Sequence, residues 1–187
     1  LYEISGTQYE GQAGLEAMAA LNPLAAVIAI GDVQFNPLRF EARQVYAGSS
    51  VPGGTMDVVR GNVIARQGDT LTIKGATLIR SDSSVVFNDE VTVNIGEDTI
   101  VTRQLSADPI GTFDKDDISV GQRVVIFGTL TGDDESLVMD ASTSESHARM
   151  LLTTIRGTAT VIDEPADQLT MELQTVDCRL VDLFDFE

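Results

Sequence analysis

Short apolar runs separated by turn residues dominate the chain. Valine, isoleucine, threonine and phenylalanine recur in runs of strand length, bounded by glycine, aspartate and serine, which is the pattern of β-strands joined by tight turns. The stretch RGNVIARQGDTLTIKGATLI predicts a hairpin, with strands over 58–66 and 70–80 and a turn at 67–69. Gly68 supplies the positive φ that such a turn requires.

Other segments extend the strand pattern and add one helix. RVVIFGTLTGDDESLVMDAS predicts a second hairpin, whose polar turn covers 131–136. VTVNIGEDTIVT alternates apolar and polar positions, and Gly96 within it predicts a bulge or bend in a strand. Helix formers concentrate in GQAGLEAMAALNP, which predicts a short helix ending before Pro23. The predicted fold class is all-β, because strands do not alternate with helices as in a parallel α/β sheet.

The pattern repeats along the chain. Four segments recur in the same order at offsets of 96 to 99 residues: VIAIG (27–31) as VVIFG (124–128), FEA (40–42) as MDA (139–141), RG (60–61) at 156–157, and TLTI (70–73) as QLTM (168–171). A single match of this kind would be noise. Four matches in one order at nearly one offset indicate a duplicated unit.

The phase of the repeat predicts the domain organisation. One unit is complete, over 59–154, whereas 1–58 match the later part of a unit and 155–187 the earlier part. Within a unit, three strands, a helical or turn linker and two further strands follow one another, which is the arrangement of a five-stranded OB-like β-barrel. We therefore expect two OB-like barrels, with a short helix between strands three and four of at least one.

We expect the strands of the two flanking segments, 1–58 and 155–187, to pair with other strands, because a half-barrel exposes unpaired strand edges. Our prediction is that 1–58 and 155–187 together form a second, discontinuous barrel into which 59–154 is inserted. Two alternatives stay open. The flanks could pair between two chains, or they could be partial repeats of a longer tandem array.

Several of these segments carry a resemblance to a known family. The matching elements are RGNVIARQGDTLTIKGA, GEDTIV, ISVGQRVVIFG and SLVMDA. They resemble the bacterial OB-like domain of unknown function that occurs in tandem in cell-envelope proteins, often lipoproteins. The match covers most of the chain, but LNPLAAVIAIG departs from it because the turn glycine is replaced. The resemblance implies an extracytoplasmic location in the cell envelope (periplasm or outer surface), membrane contact only through a lipid anchor outside this chain, and no known catalytic residues.

Charge narrows the range of partners. The formal net charge is −17, and the acidic residues are spread along the whole chain. Such a surface repels phosphate backbones, and no basic cluster is visible in the sequence, so we expect no nucleic-acid partner. No apolar run approaches the roughly 20 residues that a membrane-spanning helix needs.

Residues that commonly carry chemistry are few. Cys178 is the single cysteine, which excludes an intramolecular disulfide, and its apolar neighbours predict a buried thiol. His147 is the single histidine, and its polar neighbours in TSESHAR predict an exposed side chain. Neither residue stands in a nucleophile motif. We therefore predict no enzyme, assign no catalytic or cofactor-binding residue and expect no cofactor.

Acidic clusters are the remaining candidates for a site. Four of them, at 88–90, 114–117, 132–135 and 163–167, carry oxygen ligands that suit Ca²⁺, but none has EF-hand spacing and each falls at an expected turn. We interpret them as solvated loops and assign no metal site. The weakest candidates that remain are Asp133, Asp134 and Glu135, which crowd one hairpin tip.

Two other groups of residues are predicted to be structural. Phe35, Phe40 and Phe127 lie in predicted strands and are expected in the core. Arg60 and Arg156 occupy the same phase of the repeat, so each is expected to pair with an acid between barrels.

These observations favour a non-enzymatic binding or scaffolding module of the bacterial cell envelope. Its expected partner is a protein or a glycan, and homo-oligomers could form by strand exchange. The alternative is an OB module that binds an oligosaccharide or small ligand on the face of strands two and three. A metal- or carboxylate-dependent hydrolase is less favoured, and clustered buried acids with raised pKa values would support it.

Overall fold

The computed structural model describes residues 1–21, 25–106, 111–132 and 136–175. These residues form an all-β protein with one α-helix. The elements in chain order are β1 (Tyr2–Ile4), β2 (Thr7–Tyr9), α1 (Gly11–Ala19), β3 (Val27–Phe35), β4 (Leu38–Ala47), β5 (Asp57–Gln67), β6 (Thr70–Ile79), β7 (Val85–Ile95), β8 (Ile100–Arg103), β9 (Arg123–Thr131), β10 (Val138–Ala141), β11 (His147–Leu151), β12 (Arg156–Asp163) and β13 (Gln168–Thr175). Single 3₁₀ turns cover Gly48–Ser50 and Lys115–Asp117.

Local sequence signals locate the first predicted hairpin correctly. Strands β5 and β6 are antiparallel, and Gln67 lies opposite Thr70 across a two-residue turn. Gly68 in that turn has a φ of 60°, as its position predicted. Leu71 and Ile73 point to the core and alternate with half-buried neighbours, because successive side chains of a strand point to opposite faces.

Five strands form a circuit of pairings. Strand β5 pairs with β6, β6 with β7, β7 with β10, β10 with β9, and β9 with β5. All of these pairings are antiparallel except that of β7 with β10, which is parallel. The second predicted hairpin, β9 with β10, is thus confirmed.

The chain turns at Gly96 instead of continuing as one bent strand. Thr99 determines the turn, because its hydroxyl accepts from the Gly96 amide at 2.8 Å and donates to the carbonyl of Ala141 at 2.6 Å. Beyond the turn, β8 leaves β7 and pairs in parallel with β11, which itself pairs with β9. The predicted bend is therefore a junction between two strands with different partners.

The main core lies inside the circuit. It contains fully buried apolar side chains from every strand between β5 and β11, including Leu71, Ile73, Val93, Ile126 and Met139. A smaller cluster lies on the opposite face of β5 and β9 and contains Val58, Val125, Phe127 and Leu151. We call this second surface the outer face. Phe127 is buried there, as predicted.

A separate four-stranded sheet precedes the circuit, in the order β2-β1-β4-β3. Helix α1 lies within the predicted segment, and its Gly14 packs directly against the ring of Tyr2 in β1. The prediction that Phe35 and Phe40 belong to the core is wrong. Both are exposed on the hairpin of β3 and β4, because no described strand covers that face.

The last described strands form a hairpin of their own. Strands β12 and β13 are antiparallel, and within the described ranges each pairs only with the other. Their apolar residues Val161, Ile162 and Leu169 are exposed. Formation of a second barrel from 1–58 and 155–187 stays a prediction.

Candidate functional site

A buried ion pair joins the first sheet to β11, the strand that pairs with β9 of the circuit. Glu3 in β1 is completely buried, and Arg149 in β11 is nearly so. Arg149 donates from Nε to Oε2 of Glu3 at 2.9 Å and from Nη2 to Oε1. It also donates to the carbonyl of Ser50 at 3.1 Å, while Thr102 donates to Oε2 of Glu3 at 3.2 Å. Both charges are thus paired and hydrogen-bonded, which is what burial of charge requires.

Aromatic rings surround this ion pair. The Arg149 guanidinium lies 3.7 Å from the ring centroid of Tyr46 and 5.4 Å from that of Phe127. Cation–π attraction therefore adds to the pairing with Glu3. The hydroxyl of Tyr46 is buried without a well-formed hydrogen bond, and burial raises the pKa of Tyr46 above its usual value.

His147 is buried, so the prediction of an exposed histidine is wrong. Its ring stacks on that of Phe127, with centroids 4.0 Å apart and planes 17° apart. The turn at Gly6 closes over it, because a Cβ at Gly6 would stand 3.4 Å from the imidazole. The polar neighbours in the sequence were misleading, since the tertiary contact with Gly6 covers the ring from a segment 141 residues away.

Burial and the charge of Arg149 determine the protonation states of this cluster. Burial opposes ionisation of Glu3, but the hydrogen bonds and charge of Arg149 outweigh it and lower the pKa of Glu3 below its usual value. Burial lowers the pKa of His147 to about 4, although the negative charge of Glu3 opposes that shift. At neutral pH the carboxylate is therefore ionised and held by Arg149, and the imidazole is neutral. Neither group is poised near pH 7, where a general acid or base works best.

Two grooves open on the outer face beside this cluster. The larger, with a volume of about 340 Å³, is lined by Ile28 and Ile30 of β3 and by apolar residues of β5 and β9. The smaller, of about 260 Å³, shares Arg60 and Arg123 with the first and is also lined by Asn62 and Thr77. We call the smaller one the arginine groove.

The arginine groove holds polar groups that lack partners. Asn62 is completely buried, and neither its oxygen nor its nitrogen has a hydrogen-bond partner in the described part of the chain. Arg123 donates to the carbonyl of Leu152 at 3.3 Å, and neither Arg60 nor Arg123 forms an ion pair with a described carboxylate. The predicted pairing of Arg60 and Arg156 with acids is therefore not observed among the described residues.

The acidic loop at 114–117 contains a lysine, Lys115, whose ammonium group forms ion pairs. Asp114 caps the 3₁₀ turn by accepting from the amide of Asp116 at 2.8 Å. The ammonium of Lys115 lies 2.8 Å from a carboxylate oxygen of Asp69 and 3.3 Å from one of Glu97, and the Asp69 hydrogen bond raises the pKa of Lys115. Lys115 is thus paired with carboxylates from outside the cluster, and Asp116 of the cluster itself pairs with Arg66 at 2.7 Å.

The other predicted candidates gain no support. Asp133, Asp134 and Glu135 lie outside the described residues, as does Cys178. Within the described ranges, no three histidine, cysteine, aspartate or glutamate side chains come together in a way that could hold a metal ion. The same ranges contain no helix of the length and apolarity that crossing a membrane requires.

Comparison with protein families, with curated proteins and with solved structures finds no match for this chain.

Sequence reasoning missed the ion pair of Glu3 and Arg149. A weak signal was present, because each is a single charged residue between apolar neighbours in a strand, in YEI and in ARM. A charged residue in such a strand can face solvent or an oppositely charged buried residue. Only the tertiary structure shows which of these arrangements occurs.

Proposed function

We propose that this protein is a non-enzymatic binding or scaffolding module of OB-like units, in the bacterial cell envelope. The observation that carries the proposal is the bare apolar face of the hairpin of β3 and β4. Val33, Phe35, Leu38 and Phe40 are all exposed there. A contiguous apolar surface of this kind, on a sheet with a free edge, is typical of a site of association with another polypeptide.

The pairing circuit supports the OB-like part of the proposal. In the OB-fold, five strands form a Greek-key barrel. Here β9 returns to lie beside β5 after the antiparallel run of β5, β6 and β7, and β10 completes the circuit between β7 and β9. The envelope location rests on the family resemblance of the sequence.

The polar contacts support a non-enzymatic role. Glu3 is committed to Arg149, and Lys115 is committed to Asp69 and Glu97. The one described histidine is neutral and stacked on Phe127. Within the described part of the chain, these ionisable groups are thus engaged in contacts that hold the fold.

Sedimentation velocity over a range of protein concentrations tests the proposal. We expect reversible association that the double variant Phe35→Ser/Leu38→Ser weakens. The matched control is Val85→Ser/Phe87→Ser, which removes exposed apolar residues from β7 and should leave association unchanged. A chain that stays monomeric at all concentrations, and equal behaviour of the two variants, would each count against the proposal.

A specific observation favours a second candidate, the binding of a small anionic ligand. The arginine groove presents Arg60 and Arg123 without carboxylate partners, next to the unsatisfied amide of Asn62. Two guanidinium groups suit carboxylate or phosphate groups, because each can donate two parallel hydrogen bonds. The chemistry therefore fits an acidic sugar or a small carboxylate.

Calorimetric titration with glucuronate and with inorganic phosphate tests this candidate. We expect saturable binding that Arg60→Gln and Arg123→Gln each abolish. Arg156→Gln, which removes an exposed arginine from the separate hairpin of β12 and β13, is the control. Binding that survives both groove variants would reject the arginine groove as the site.

A further inference from the structure

The hairpin of β3 and β4 repeats the geometry of the hairpin of β9 and β10. Asp32 lies opposite Glu41 in the first, and Thr129 lies opposite Asp140 in the second. The preceding residue is a glycine in both. A Cβ at Gly31 would collide with the carbonyl of Glu41, and a Cβ at Gly128 would collide with that of Asp140. The equivalence therefore extends to a close backbone approach that only glycine permits.

The hairpin of β12 and β13 repeats the geometry of β5 and β6 in the same way. The ladder of β5 with β6 shifts register after Arg60 and after Val63, and the ladder of β12 with β13 shifts after Arg156 and after Ala159. Both shifts recur at an offset of 96 residues.

A glycine accompanies the first shift in each copy. A Cβ at Gly61 would approach the carbonyl of Lys74 at 2.7 Å. The same atom at Gly157 would collide with the carbonyl of Glu172. Bulges and close approaches of this kind are built features of a strand, so their recurrence marks β12 as the counterpart of β5.

In the complete unit, these two kinds of hairpin are joined to each other. Strand β5 pairs with β9 over six residues, and Arg60 lies opposite Val125. The counterparts of these two strands, β12 and β3, form no such pairing within the described residues. Among the described residues, the edge of β3 and the edge of β12 are therefore both unpaired.

The exposure of the side chains also indicates that the flanking hairpins lack a covering partner. Core positions that are covered in the complete unit are uncovered in the flanking hairpins. Leu130 is 5% exposed, whereas its counterpart Val33 is 53% exposed. Met139 is 0% exposed, whereas its counterpart Phe40 is 52% exposed. In the other hairpin, Leu71 is 0% and its counterpart Leu169 is 55% exposed.

We infer that the free edge of β3 binds β12 of a second copy of this chain, antiparallel and in the register that β9 keeps with β5. Applied to the flanks, that register places Arg156 opposite Ile28 and Ile155 opposite Ala29. The inference rests on the proposed scaffolding function and names its partner. Strand addition of this kind takes affinity from main-chain hydrogen bonds and specificity from alternate side chains.

A second copy is the partner because β3 and β12 of one chain do not pair with each other in the described structure. Leu152 is held at the end of β9, where its amide donates to Gln104 at 3.2 Å and its carbonyl accepts from Arg123. Beyond that anchor, β12 and β13 pair only with each other among the described residues, and Val161, Ile162 and Leu169 are exposed. Because each copy donates one edge and accepts one, the contact is heterologous and can extend to rings or filaments.

Disulfide formation between two differently substituted chains tests the register. In a Cys178→Ser background, Ile28→Cys is mixed with Arg156→Cys, and Ala29→Cys is mixed with Ile155→Cys. Directly opposite residues bring their Cβ atoms within disulfide reach in one of the two pair types of an antiparallel ladder. We expect a disulfide-linked dimer from at least one mixture after mild oxidation. The control mixture of Ala29→Cys with Arg156→Cys places the thiols on opposite faces and should give none.

Three results would overturn the inference. The first is the absence of a linked dimer from both in-register mixtures. The second is equal linking in the control. The third is a monomeric internal disulfide as the main product of the double variant Ile28→Cys/Arg156→Cys, which would show that one chain closes on itself. Sedimentation of the same samples distinguishes failure of the register from failure of the proposed scaffolding function. Association without in-register linking rejects the register alone. Absence of any association rejects the scaffolding function as well.

Discussion

Glu3 and Arg149 are 146 residues apart in the sequence and form a two-point ion pair that is almost completely buried. The pair connects β1 of the first sheet with β11, which pairs with β9 of the circuit. Removal of water from both charges is costly, so the pair stabilises the junction only while both members are present.

Breaking this pair should destabilise the protein strongly. Glu3→Gln leaves Arg149 buried without its counter-ion, so we expect the free energy of unfolding to fall by about 3–5 kcal/mol. Urea denaturation at pH 7 measures the change. Because the pKa of Glu3 is lowered by folding, the wild-type advantage is present above pH 4.5 and is lost as the pH falls through the folded pKa.

The matched control for Glu3→Gln is Arg43→Ala. Arg43 forms an ion pair with Asp32 at the surface, where both side chains are exposed. Exposed pairs contribute at most about 1 kcal/mol, so this variant should be nearly neutral. Similar losses from the two variants would contradict a special role for the buried pair.

Acidification should weaken the fold through His147. Its pKa is lowered from 6.5 to about 4 by burial, so the unfolded chain takes up a proton in this range and the folded chain does not. Stability is then complete above pH 6.5 and is lost as the pH falls towards 4. We expect a loss of about 2 kcal/mol between pH 7.5 and pH 5 from urea denaturation at the two pH values.

The variant His147→Phe isolates this effect. A phenyl ring keeps the stacking on Phe127 and removes the two ring nitrogens that lack hydrogen bonds. The variant should therefore be at least as stable as the wild type at pH 7.5 and should show little pH dependence down to pH 5. An unchanged pH dependence would place the titrating group elsewhere.

Gly128→Ala should distort the circuit. Its Cβ would collide with the carbonyl of Asp140 in β10, so the pairing of β9 and β10 would have to open. Steric strain in a packed structure costs about 1–3 kcal/mol, and we expect a loss of that size in thermal denaturation. Thr129→Ala, at the exposed neighbouring position, should cost under about 0.5 kcal/mol. A neutral Gly128→Ala would argue against the close approach.

Corresponding positions of the predicted repeat should respond differently to truncation. Met139 is fully buried in β10, whereas its counterpart Phe40 is exposed in β4. Met139→Ala should therefore cost about 2–5 kcal/mol, the usual range for a buried methionine. Phe40→Ala should cost well under that at protein concentrations where the chain is monomeric. Chemical denaturation measures the free energy of unfolding of both variants, and sedimentation verifies that each is monomeric. Equal losses of stability would show that Phe40 is covered.

Much of the strand pattern could be predicted from neighbouring residues. Alternating apolar residues and the Gly68 turn located both ends of β5 and β6 to within one residue, because strand periodicity is a local property. The segment around Gly96 illustrates the limit. Its alternation predicted one bent strand, but the hydrogen bonds of Thr99 to Gly96 and to distant Ala141 divide it into β7 and β8.

The sequence by itself therefore determined where most of the strands and turns lie, since those depend on residues close together in the chain. Only the tertiary structure decided which faces are covered. Phe127 is buried whereas Phe35 and Phe40 are exposed, although all three lie in similar strands. His147 is enclosed by Gly6, and Glu3 finds Arg149, through contacts between segments more than 140 residues apart. Burial and charge pairing depend on such long-range contacts, which local periodicity does not specify.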